Sequence, residues 1–229
     1  MCGHLEGAIM EDQLGPDLSH MRIVHDVLRD SYGAAPDLIR SARGDAERRE
    51  LVLGYVDNVL ALLLVHHEAE EELLFPVIRE RAPEGLEALD RSSAQHRDLV
   101  TLLADALGAV EAWRAEGDPA SAAAAEALEA LDAGVRPHLA EEEAAVVPLA
   151  SEHLSVAEWE GFTRYSVTHF TGDRVWLIWG LLREQMTPEQ RDRMLEQMSD
   201  SARGYWESTA HQQFDELVGE LRQTVPAGP

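Results

Sequence analysis

The sequence predicts an all-α chain: an up-down four-helix bundle with additional C-terminal helices. Apolar residues recur at helical spacing nearly throughout, and no stretch alternates with period two while being rich in β-branched residues. Breaks at Gly33 to Gly44, Ala82-Pro83 and Gly117-Asp118-Pro119 divide the first 150 residues into four long segments. A pattern also occurs twice: His66-x3-Glu70-x4-Phe75-Pro76 returns as His138-x3-Glu142-x4-Val147-Pro148. Lone histidines precede the copies, His25 by 41 residues and His96 by 42. Two like halves, each giving His, His and Glu, are what a dinuclear metal site inside a four-helix bundle requires.

The first core helix is expected from about Asp17 to Tyr32, with Leu18, Met21, Val24, His25 and Leu28 on one face and Gly33 at its end. A loop through Pro36 and Gly44 follows. The second runs from about Asp45 to Arg81, with Leu51, Tyr55, Val59, Leu62, His66, Glu70 and Leu73 tracking the interior. The third spans about Glu84 to Ala115 and carries His96. The fourth begins with Asp118 as N-cap and Pro119 at the first helical position, and reaches about Ala150. Gly134 and Pro137 predict a kink or break within it, where proline frees the carbonyl of Ala133, and Pro76 and Pro148 predict bends or ends. Residues 14–150 form the bundle domain. Residues 151–224 form a C-terminal extension, opened by the capping boxes Ser155-x-x-Glu158 and Thr187-x-x-Gln190, with helices near 156–184, 188–198 and 201–223. A Pro/Gly tail, 225–229, is expected to be disordered.

Composition excludes several function classes. Lys+Arg 19 against Asp+Glu 43 gives a net charge of -24, which disfavours nucleic acid and anionic lipid surfaces. The longest apolar run, Val59 to Val65, is far short of the roughly 20 residues that span a bilayer, and Met1 to Met10 hold Glu6 but no Lys or Arg, unlike a secretory signal. With no lysine there is neither a Schiff-base nor a P-loop lysine. Cys2, the single cysteine, cannot make an internal disulfide, a four-cysteine zinc site or a normally ligated iron–sulfur cluster. A cytoplasmic setting is expected.

Residues four apart on a helix lie about 40° apart in projection, so His66 and Glu70 share a face, as do His138 and Glu142. His67-x3-Glu71, His169-x3-Asp173 and His211-x3-Asp215 fit the same spacing, but only His66 and His138 lie at one offset from a matching proline; the second-copy equivalents of His67 and Glu71 are Leu139 and Glu143. Glu68, Glu71, Glu72, Glu141 and Glu143 are expected to be solvated, with one of them able to support a ligand. His20 is turned about 140° from His25 and is the alternative first-helix ligand. His4 and His153 have no motif support.

These residues resemble the haemerythrin-like, HHE cation-binding family: His25, then His66-His67-Glu68-Ala69-Glu70-Glu71 running into Leu74-Phe75-Pro76, His96, then His138-Leu139-Ala140-Glu141-Glu142. The resemblance covers about residues 14–150. It implies two non-haem iron ions with an oxo or hydroxo bridge, Glu70 and Glu142 bridging them, and His25, His66, His96 and His138 as terminal ligands; manganese and zinc are the alternatives. Oxygen-carrying haemerythrins have five histidines, with a His-x3-His pair on the third helix, whereas here Val100 follows His96 at that spacing. The pattern therefore looks more like the branch associated with nitric oxide handling, iron–sulfur repair and iron sensing, with one or two coordination positions open to water, O2, NO or peroxide.

The expected function is reaction of a di-iron centre with a small oxidant, as an oxidoreductase of peroxidase, oxidase or NO-reducing type. A non-enzymatic sensor or store of O2, NO or iron is the second option. Trp159, Trp176, Trp179 and Trp206 are expected to form core or interface, including a homodimer interface. Alternatively, the C-terminal segment builds a pocket for an organic substrate near Tyr165 or His169, which would make the protein an oxidase or oxygenase.

Overall fold

The computed structural model describes residues 16–223, so Cys2, His4, the reading of Met1 to Met10, the domain start at 14, the extension's last residue, 224, and the 225–229 tail lie outside the described residues. The core is four helices joined by short connections: α1 Ser19–Ser41, α2 Ala46–Arg81, α3 Leu86–Glu116 and α4 Asp118–His153. Four further helices follow: α5 Val156–His169, α6 Val175–Gln185, α7 Pro188–Gln197, and α8, which runs from Asp200–Tyr205 through a π turn at Trp206–Ala210 into His211–Arg222. Among the described residues there is no strand.

Several boundaries depart from expectation for local reasons. α1 does not stop at Gly33. It continues through Pro36 to Ser41 because Tyr32, Ala35, Pro36 and Ile39 all bury against the core. Gly33 serves close approach instead: a Cβ there would meet Nη2 of Arg136 at 2.5 Å, and that nitrogen donates to the Arg29 carbonyl at 3.0 Å. α4 likewise runs unbroken through Pro137 and Pro148. Its N-cap is Gly117, with φ 74°, a left-handed value suited to glycine; the Asp118 carboxylate accepts from the Gly44 amide at 2.9 Å and so caps a neighbouring turn.

The expected 156–184 helix is split at 170–174 by buried Asn58 of α2. Its Nδ2 donates to Gly54 O at 2.8 Å and to Asp173 Oδ1 at 2.9 Å, and its Oδ1 accepts from the Arg174 amide at 2.8 Å. Replacing Asn58 with leucine should destabilise the fold by about 2 kcal/mol, since it leaves the Arg174 amide without its partner; denaturant unfolding measures this. Both predicted capping boxes are present, at Ser155/Glu158 and Thr187/Gln190.

α2 is buried on nearly all sides, because α5, α6 and α8 cover the face that the bundle does not. It is the one helix among the described residues that is long and apolar enough to cross a membrane, and 67% of its most apolar window is buried. Arg48, near its start, donates through Nη1 and Nη2 to the carbonyls of Glu220 and Leu221 at 3.1 and 3.0 Å, tying down the end of α8. Trp159 and Trp206 are buried in the core, and Trp176 and Trp179 pack against it.

The apolar interior forms two clusters. On each bundle helix a polar residue marks the change between them: His25 lies between Met21 and Val27, His66 to Glu70 between Leu63 and Leu74, His96 between Leu89 and Leu99, and Glu142 between Leu139 and Val146. The repeated motif thus places one polar layer across the whole bundle.

Candidate metal centre

That layer holds His25, His66, His67, Glu70, His96, His138 and Glu142, all buried. Their donor atoms form two groups, each spanning no more than 4.8 Å: His25, His66, Glu70 and Glu142, and His67, His96 and His138. The glutamates connect the groups. Glu70 directs Oε1 to His66 Nε2 and Oε2 to His96 Nε2, both at 3.4 Å. Glu142 directs Oε1 to His96 Nε2 at 3.4 Å, and Oε2 to His138 Nε2 at 3.4 Å and His25 Nε2 at 3.8 Å.

The outer ring nitrogens are held by the protein. His25 Nδ1 is paired with Glu143 Oε1 at 3.0 Å, His96 Nδ1 with Glu71 Oε1 at 2.8 Å, and His138 Nδ1 with Gln95 Oε1 at 3.0 Å. Each partner is itself fixed: Glu143 by Arg29 at 2.8 Å, Glu71 by the Ser93 hydroxyl at 3.1 Å, and Gln95, whose Nε2 donates to Glu141 at 2.7 Å. Such partners fix the orientation of each ring, so that Nε2 faces the centre. Glu71, which stays exposed as expected, and Glu143, which is half-buried, each also orient an imidazole, because His96 of α3 and His25 of α1 pack beside the motif. Ser92 adds a 2.6 Å hydrogen bond to Glu142 Oε1.

Local structure explains how α2 delivers three donors. A π turn at Glu70–Leu74 follows the motif, inserting a wide turn where Pro76 would otherwise leave a helical carbonyl without its amide. Beyond it, Phe75 stacks on His96 at 5.5 Å between ring centres, and His67 stacks on the same ring at 4.2 Å. The Phe-Pro ending of the motif thus clamps a histidine on another helix.

Electrostatics shows what the layer lacks. Burial pushes His66 and His67 well below the ordinary imidazole range and brings His138 down to about 4. Burial, and then the neighbouring Glu142, raise the Glu70 carboxyl. Burial opposes charge on His96, yet the facing carboxylates of Glu142 and Glu70 bring it up to about 10. His67 Nε2, Glu70 Oε2, His96 Nε2, His138 Nε2 and Glu142 Oε2 are buried without a hydrogen-bond partner. Unpartnered donor atoms of this kind in one layer are costly unless a cation meets them. Donors about 2.1 Å from a shared ion lie about 3 Å apart, close to the 3.4 Å spacings here. The residues present fit metal ions.

Residues 10–150 match the Hemerythrin HHE cation binding domain. The chain belongs to this family. No curated protein and no solved structure matches it. As a haemerythrin-type chain, it carries a metal-binding site in a family that binds metal ions, typically iron.

The structure brings together His25, His66, Glu70, His96, His138 and Glu142. It adds His67, which the repeat had set aside because its counterpart is Leu139. A helical wheel holds the missing signal: Glu70 lies between the two histidines, about 40° from His66 and about 60° from His67, so one carboxylate can be flanked by both. The layer therefore contains five histidines. Val100 is 57% exposed and faces away from it. His20 joins neither donor group, and Tyr165 and His169 stack on each other at 3.8 Å on the exposed side of α5, with the Tyr165 hydroxyl donating to Glu72 at 3.0 Å.

In the metal-free layer Glu70 and His96 hold protons that a cation must displace, so apparent metal affinity should rise as pH increases from about 6 to 8, with proton release on binding. Metal titrations in weak buffer at several pH values test this; affinity that is flat or falls with pH would contradict it.

Proposed function

We propose that the centre holds two iron ions and reacts with a small oxidant, O2, peroxide or NO. The observation that carries this reading is that Glu70 and Glu142 each face both histidine groups, the arrangement that two bridging carboxylates need. His25 and His66 would serve one ion, and His67, His96 and His138 the other. With no thiolate among the donors, imidazole and carboxylate suit iron, with manganese or zinc less favoured.

When bound, the pair would supply redox chemistry and a Lewis-acidic position for the oxidant. The chain's own residues do the rest. Glu143 and Glu71 fix the rings of His25 and His96, and Gln95 fixes His138. The two apolar clusters exclude bulk water from both sides of the layer. The His25/His66 side has one histidine fewer than the other, so an incoming molecule would find its place there.

Protein loaded anaerobically with ferrous iron, then treated with peroxide or NO, tests the reading through visible absorption and consumption of the oxidant. Spectral change with catalytic consumption in the presence of an electron donor supports an oxidoreductase. Stoichiometric, reversible change without turnover supports the second reading, a sensor or store. Two bound irons that respond to none of the three oxidants would refute both.

A further inference from the structure

A cavity of about 340 Å³ lies between the bundle and the C-terminal helices. On the bundle side Met21, Val24, Leu62 and His66 face it; on the other side Trp159, Phe162 and Trp179 do. The cavity is half-open to solvent and falls within the size range of small-molecule sites, about 300–1,000 Å³. The metal layer itself uses no residue of α5 to α8, yet these helices supply most of the cavity wall.

The wall selects a chemistry. In a chain with 43 acidic and 19 basic residues, no Arg, Asp or Glu lines the cavity among the described residues. Its hydroxyls are engaged within the wall: Thr163 and Ser166 donate to the Trp159 and Phe162 carbonyls, both at 3.2 Å, and Ser199, which accepts from the Ala202 amide at 3.2 Å, also pairs with the Ser201 hydroxyl at 3.1 Å. A charged ligand would be buried without a partner. Met21, Met194 and Met198, three of the chain's six methionines, give the wall side chains that re-pack around different shapes. The polar groups left to meet a ligand are His20, which desolvation holds below the ordinary imidazole range and so uncharged, and Gln197, together with the edge of His66.

We propose that this cavity binds a neutral, hydrocarbon-rich small molecule carrying at most one hydroxyl, carbonyl or similar group, held against the His66 edge of the metal layer. The binding itself stands on the cavity alone. Its placement beside a working metal centre rests on the function proposed above, for which the occupant would be an organic co-substrate or effector.

Trp159 and Trp179 in the wall act as reporters. Full-length protein, metal-free and cobalt(II)-loaded, would be titrated with the neutral probe N-phenyl-1-naphthylamine and with its anionic relative 8-anilino-1-naphthalenesulfonate, following tryptophan quenching and probe emission. We expect one saturable site per chain, at least about tenfold tighter for the neutral probe because the wall offers nothing to an anion. The neutral probe should also shift the visible cobalt bands. Ala202→Trp, which fills the space, and Val167→Trp at the exposed rim should each weaken binding about tenfold or more while leaving cobalt content unchanged; the rim variant keeps the test valid if the inner one fails to fold. Equal affinity for both probes, or binding untouched by the folded variants, would overturn the proposed site. Saturation with unshifted cobalt bands would overturn the placement against His66. Failure to hold two metals would count against the di-iron reading, while probe binding to metal-free protein would still decide the cavity.

Discussion

Replacing Glu70 with glutamine should lower metal affinity by at least about a hundredfold and leave the chain unable to hold two ions, because loss of an orienting partner outside the ligand shell alone costs about 10–100-fold. The same substitution should leave metal-free stability within about 1 kcal/mol of the parent, since the amide preserves shape and removes a charge that burial and Glu142 already disfavour. The two readouts separate a ligand from a structural residue. A structural carboxylate would give the opposite pattern, with the metal-free fold weakened and uptake intact. Metal content after dialysis and denaturant unfolding of both forms supply the measurements, and two tightly held ions in the variant would remove Glu70 from the centre. The bridging arrangement predicts a similar loss for Glu142→Gln, whose carboxylate meets His25, His96 and His138.

His67→Leu should convert a two-ion centre into one that holds a single ion tightly. Leucine is what the chain places at the matching point of the second repeat, Leu139, where it is fully buried, so the fold should tolerate it. The His67, His96 and His138 group would lose one of its three histidines, while His25 and His66 keep theirs. If two ions remain bound, His67 acts only as a ring stacked on His96, and the five-histidine assignment falls.

The bundle and most of its polar layer were legible because both depend on local periodicity. Helical spacing placed four long segments, and the duplicated motif put His25, His66, Glu70, His96, His138 and Glu142 on inward faces, where the structure brings them together. Repeat symmetry did not reveal that His67 joins the layer, because the halves are not equivalent: one supplies His-His and the other His-Leu, and only the folded bundle shows the extra ring filling the space beside His96. Prolines did not end the helices that contain them. Pro36, Pro137 and Pro148 sit inside continuous helices, since burial of their neighbours outweighs one lost hydrogen bond. The roles of Glu71, Glu143 and Gln95 were hidden for another reason: each reaches a histidine 25 to 118 residues away in sequence, and no local pattern encodes that pairing. The split after His169 has the same origin, being set by Asn58 on another helix.

The di-iron reading requires two metal ions that share Glu70 and Glu142. Anaerobic titration of metal-free protein with ferrous iron, followed by oxidation and magnetic measurement of the product, tests it most directly. The expected result is two irons per chain whose spins are coupled through their shared ligands. One iron per chain, or two that behave as magnetically independent ions, would contradict it.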